Sequence, residues 1–113
     1  MKTIIHNILG TPYTVLLGDR EEIDIGKNNA GECRIYSKKI LVCTEEGDCT
    51  DSELIVKVQE IVAHEVLHAY LNEAGVDIDC GDEEKVSYFY MKNWRNLNNS
   101  ILEILDKSGF LDN

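Results

Sequence analysis

The sequence predicts a single α+β domain, a small antiparallel sheet packed on a long helix and a second helix. Three observations carry that expectation. Up to residue 43 the chain is built from short runs of Ile, Leu, Val, Tyr and Thr broken by Gly and charged residues, which is strand-and-turn composition. From residue 50 onward, apolar residues recur at helical spacing. The whole is 113 residues, 43% hydrophobic, with one proline and no repeat or polar linker, so residues 1–113 read as one domain with one core. Strands followed by helices place the helices on one face of the sheet.

The elements follow in order. Residues 3–9 and 12–17, separated by Gly10-Thr11, read as two strands or one bent strand pair. Residues 19–31 are charged, then polar, then glycine-containing, and read as a loop. Residues 33–36 and 40–43 form a hairpin turning at Ser37-Lys38-Lys39, and a charged loop covers 44–48. Thr50-Asp51-Ser52-Glu53 is a capping box, with Thr50 as N-cap and Glu53 reaching back. Leu54, Val58, Ile61, Val62, Glu65, Ala69 and Leu71 continue that helix to about Ala74, and Gly75 ends it. Gly81-Asp82 opens a second helix whose buried stripe is Val86, Phe89, Tyr90, Trp94 and Leu97. A break is expected over 96–100, then a short final helix over 101–106 that stops at Ser108-Gly109.

Charge narrows the partners. Eleven Lys and Arg against 21 Asp and Glu give a net charge of −10. Such a chain repels phosphate backbones and anionic lipid, so neither nucleic acid nor a membrane is expected, and a neutral or basic peptide or protein is the easier substrate. No apolar run approaches membrane-span length. The N-terminal stretch is interrupted by His6-Asn7 and lacks a small-residue cleavage site, so a cytoplasmic protein is expected. Cys33, Cys43, Cys49 and Cys80 are then expected as reduced thiols, and the Cys43–Cys49 spacing is not that of a zinc knuckle. The oligomeric state is not legible.

Chemistry concentrates at His64-Glu65-Val66-Leu67-His68, an H-E-x-x-H pattern set between Ile61-Val62-Ala63 and Ala69-Tyr70-Leu71. On a helix, residues four apart are offset by about 40° and roughly 6 Å, so both imidazoles reach one ion. Glu65, turned by about 100° from His64, lies beside the ion, where it can take a proton from an activated water. The pattern predicts Zn2+ held by His64 and His68, with Glu65 as catalytic base. Two imidazoles and a carboxylate on a partly buried face are costly unless something satisfies them, and a metal does so. His6, in a strand-like apolar run, reads as a structural or exposed histidine.

A catalytic zinc needs a third protein ligand. The extended pattern with a third histidine is absent, because Leu71 and Ala74 stand at its glycine and histidine places. Asp82, Glu83 and Glu84 follow after room for one chain reversal. Helical steps from Glu83 reach Val86, Tyr90, Trp94 and Leu97, whereas those from Glu84 reach Ser87, Met91, Arg95 and Asn98. Glu83 is therefore the expected metal ligand, and Asp82 and Glu84 complement the helix dipole. Glu84 and Cys33 stay open as alternatives.

Residues 50–96 resemble the gluzincin branch of zinc metallopeptidases. Gly31-Glu32-Cys33, Ile40-Leu41-Val42, His64-Glu65-Val66-Leu67-His68-Ala69 and Glu83-Glu84-Lys85-Val86 together are similar to short zincin-like proteins of phages and prophages. The resemblance implies a minimal zincin-like domain, a host cytoplasmic setting, a downstream glutamate as third ligand, and residues 40–43 as the edge strand to which a peptide adds. Gluzincins often carry E-x-x-x-D, and aligning Glu83 puts Ser87 at the aspartate's place, which weakens support for a ligating histidine. Tyr70, Tyr88 and Tyr90 are candidate oxyanion donors, with core packing as the competing role. The leading function is a zinc-dependent peptidase. A deformylase-like hydrolase would use Cys33 as ligand, and a different class is an inactive zincin-fold module that binds a host or phage regulator.

Overall fold

The computed structural model describes residues 1–45, 47, 49–76 and 82–111, and of Glu83 the backbone alone. Its elements run β1 (Lys2–Ile8), β2 (Thr11–Gly18), α1 (Arg20–Ile23), β3 (Gly31–Arg34), β4 (Lys39–Cys43), α2 (Asp51–Glu73) and α3 (Glu83–Ser108). β1 and β2 form a hairpin whose turn residues Leu9 and Gly10 both have positive φ, 49° and 91°. Positive φ at both positions matches the right-handed twist of the flanking strands. Strand alternation points Ile4, His6 and Ile8 of β1 and Tyr13, Val15 and Leu17 of β2 inward.

The sheet is mixed, not antiparallel as expected. Its order is β1-β2-β4-β3, with β2 and β4 parallel and β3 antiparallel to β4. The reason lies in β4. Ile40, Leu41, Val42 and Cys43 are all buried, so this strand needs cover on both faces and neighbours on both edges. Val15 pairs with Ile40 on one side, and Cys33 pairs with Ile40 on the other. The segment read as a loop contains α1, which starts at a capping box between Asp19 and Glu22. Ile23 and Ile25 cover Leu41 and Cys43 on the back of the sheet, so helices lie on both faces.

α2 begins at the expected capping box, Thr50 with Glu53. It ends where Gly75, at φ +66°, lets Val76 N donate to Leu71 O and Gly75 N to Asn72 O. Leu54, Val58, Val62, Val66 and Ala69 join the inner sheet face and α3 in one core. Glu73 fastens the end of α2 to the sheet. Its carboxylate accepts from Tyr13 OH at 2.6 Å, Thr11 Oγ1 at 2.7 Å and Lys38 Nζ at 2.7 Å.

α3 is continuous, so the expected break over 96–100 is absent. Its polar residues find partners that hold the helix on. Ser100 Oγ lies 2.9 Å from His6 Nε2 and 2.8 Å from Tyr70 OH, and Tyr70 OH also donates to Asn96 O. Tertiary bonding and the buried Leu97 and Ile104 override the weak local propensity. The expected stripe is corrected at two places. Val86 is half-buried and Phe89 and Leu97 are buried, while Tyr90 and Trp94 stand 42% and 48% exposed. The inner line is instead Phe89, Asn93, Leu97, Ser100 and Ile104. Cys33 and Cys43 are free thiols. Cys80, Gly81 and the side chain of Glu83 lie outside the described residues. No described helix is long and apolar enough to cross a membrane.

Candidate metal centre

α2 turns its inner stripe to the core and leaves the adjoining His64–His68 line facing β3. His64 and His68 are one helical step of four apart, and their Nε2 atoms stand 3.1 Å from each other. Their rings meet edge to face with centroids 4.7 Å apart. Among the described residues, His64, Glu65 and His68 form a group of potential metal ligands whose donor atoms lie within 4.8 Å of one another. Two nitrogens bound to one tetrahedral zinc, each ~2.0–2.1 Å away, stand about 3.3 Å apart. The 3.1 Å contact between the imidazoles is within hydrogen-bond reach and is also near the spacing of two nitrogens on one ion.

Electrostatics agree. Burial pushes the His68 imidazole below its ordinary pKa, and the neighbouring His64 adds to that, so the ring stays neutral and able to ligate. Glu65 is 6% exposed. Burial raises its carboxyl above the ordinary range; the charge of His64 opposes this and that of Glu32 adds to it. A carboxylate shifted upward is a better proton acceptor.

β3 supplies the opposite wall. Gly31 packs so closely that a β-carbon there would meet Ile61 Cγ2 at 2.5 Å and Glu65 Oε2 at 2.9 Å. Only a glycine lets the strand approach the carboxylate this closely. A cleft of about 420 Å³ holds His64, Glu65 and His68 with Asn29, Glu32, Cys33, Ile35 and Asn72 around them. A second hollow on the far side of Gly31, lined by Asn28, Glu60 and Ile61 among others, shares His64 and Glu65. The two make a groove running along β3 past Glu65. Its described lining includes Glu32, Glu60 and Glu65 but no Lys or Arg.

The edge strand beside the groove is β3, not residues 40–43, because β4 is flanked on both sides. Cys33 lines the cleft but stays outside the converging group, and burial pushes its thiol up to about 11. None of the three tyrosines lines it: Tyr70 is buried against Ser100 and Asn96, and Tyr88 and Tyr90 are exposed on α3. Glu84 is exposed on α3. The Glu83 side chain lies outside the described residues, and the exposure of Tyr90 and Trp94 removes two of the four stripe positions from which its inward direction was expected.

Two contributors were not assigned from sequence. Gly31 is one, and its signal is a glycine opening a strand, which marks close approach. Asn72 follows His68 by four and so lines the same face; its Nδ2 donates to Glu73 Oε2 at 3.0 Å.

Comparison with known proteins gives no match. No family model, no curated protein and no solved structure matches the chain.

Proposed function

We propose that the chain is a small zinc-dependent peptidase with a minimal zincin-like fold, acting in the cytoplasm. The observation that carries this reading is the convergence of His64 and His68 Nε2 atoms at 3.1 Å beside a buried Glu65, on a groove bounded by an edge strand.

His64 and His68 would hold the ion, with Glu83 as the third protein ligand. Zinc, when bound, supplies Lewis acidity that activates a water and polarises a carbonyl. Glu65 accepts the proton of that water and hands it to the leaving amine. Burial raises the Glu65 carboxyl and so makes it the better acceptor in the first transfer. Gly31 fixes how near the strand comes to Glu65. The free edge of β3 offers backbone donors and acceptors to which an extended peptide adds as a further strand. Arg34 pairs with Glu32, and the carboxylates of Glu60 and Glu65 favour neutral or basic residues at the cleavage point.

The test is a peptide-library cleavage assay with chelator controls. Wild-type protein is expected to cleave and to lose activity with chelator. Glu65→Gln is expected to keep zinc and lose ~100-fold or more of its turnover. Equal cleavage by both proteins contradicts the mechanism.

A further inference from the structure

The groove along β3 differs from end to end. His64 and Glu65 line both of its hollows and so mark its middle. Toward the start of α2 it is lined by residues 28–31 together with Glu60 and Ile61. Past His68 the lining includes Cys33, Ile35, Leu71, Asn72 and Val76. β3 and α2 therefore run past each other in the same sense, and a peptide added to the edge of β3 passes both ends.

The described carboxylates of the groove are Glu32, Glu60 and Glu65, and two of them are engaged. Glu65 lies against Gly31 and beside the imidazoles. Glu32 accepts from Arg34 Nε and from Asn29 Nδ2, so its charge is balanced. Glu60 is exposed and takes part in none of the described ion pairs. Lys57, three residues before it, lines the next hollow toward the start of α2 and not the groove. Glu60 precedes His64 by four, on the same side of the helix and about 6 Å along its axis. A strand rises ~3.3 Å per residue, so Glu60 stands level with a substrate residue one or two places from the bond at the metal centre. At the opposite end Ile35, Leu71 and Val76 offer apolar surface and no free charge.

We propose that Glu60 is a specificity-determining residue that pairs with a Lys or Arg side chain one or two places from the cleaved bond, while the Ile35, Leu71 and Val76 end receives an apolar residue on the other side. The substrate class is then a peptide with a basic residue on one side of the bond and an apolar residue on the other. The assignment rests on the peptidase reading of the same groove and deepens it. The net charge of −10 draws a cationic peptide toward the molecule.

The test compares substrates on one protein. Alanine-based octapeptides carry a central Leu with Lys, Gln or Glu placed one or two residues to either side. The kcat/KM ratio of each Lys peptide to its Gln counterpart does not depend on how much of the protein is folded. Wild type is expected to favour at least one Lys peptide by about fivefold, the upper range for an exposed ion pair. Glu60→Gln is expected to bring that ratio to unity through KM, and Glu60→Lys to turn the preference toward the Glu peptide. A wild-type ratio of unity, or a ratio unchanged in Glu60→Gln, overturns the proposal. A second readout needs no turnover. Fluorescein-labelled versions of the same peptides are titrated, by anisotropy, into zinc-loaded Glu65→Gln with and without Glu60→Gln. The Lys peptide is expected to bind more tightly than the Gln peptide only where Glu60 is present. If wild type cleaves nothing but this preference holds, the peptidase reading fails and the pairing of Glu60 with a basic side chain stands. Equal binding of both peptides, or a preference that survives the loss of Glu60, overturns the pairing itself.

Discussion

Gly31→Ala is the sharpest single perturbation of this groove. The added β-carbon would lie 2.5 Å from Ile61 Cγ2, 2.9 Å from Glu65 Oε2 and 3.1 Å from Glu65 Cγ. Ordinary carbon contacts begin near ~3.5 Å, so about 1 Å must be recovered. Ile61 is β-branched and on a helix, so its methyl has little rotamer freedom. Either β3 backs away from α2 or Glu65 is displaced. Overpacking of this kind costs ~1–3 kcal/mol. At roughly 4 °C per kcal/mol for a domain of this size, the melting temperature should fall by roughly 4–12 °C. Both responses disturb Glu65, so hydrolysis should fall more than tenfold. Zinc binding should hold within about threefold, because His64 and His68 share α2 and neither supplies one of the three atoms nearest the added β-carbon. Circular dichroism melts, a zinc titration and the cleavage assay read the three effects. A variant with unchanged melting temperature and unchanged turnover would show that β3 does not press on Glu65, and the description of the groove would fail.

Other consequences concern the fastenings around the site. Tyr13, Thr11 and Lys38 hold the Glu73 carboxyl down at about 2, with the Lys38 bond the largest cause. Glu73 therefore contributes stability that is complete above its unfolded value of 4.5 and is lost as pH falls toward 2. Glu73→Gln should cost ~1–3 kcal/mol at pH 7 and flatten the acid limb below pH 4.5 in urea melts, and an unchanged acid limb would contradict the anchor. Burial lowers the pKa of His6 despite the Glu103 carboxylate beside it. The neutral ring thus contributes stability above pH 6.5 that is lost as pH falls through the lowered folded value. His6→Gln should remove that dependence, and a persistent loss of stability in the same window would assign it elsewhere.

Much of the motif helix was legible because its signals are local. Thr50 and Glu53 cap it, Gly75 ends it, and the His64–His68 spacing puts two imidazoles on one face whatever the rest of the chain does. The sheet was less legible because strand pairing is not local. Residues 40–43 read as one arm of a hairpin, and only the burial of all four side chains reveals an interior strand running parallel to β2. An uninterrupted apolar run was the available signal. The break expected at Asn96, Asn98 and Asn99 failed for a related reason. Ser100 is tied to His6 and Tyr70, residues far away in sequence, and no propensity scale contains that bond. Helical spacing alone groups Tyr90 and Trp94 with Val86, Phe89 and Leu97, and the packing of α3 turns the two aromatics outward. Their exposure is what marks α3 as a surface rather than a simple packing helix.

The central claim is that His64 and His68 share one zinc ion. Its most direct measurement is metal content and zinc affinity of purified wild-type protein beside His64→Ala, His68→Ala, Glu65→Gln, Glu83→Ala and Glu84→Ala. One zinc per chain is expected in wild type, Glu65→Gln and Glu84→Ala, with strong loss in both histidine variants and in Glu83→Ala. Zinc absent from the wild type, or fully retained when either histidine is removed, would contradict the account.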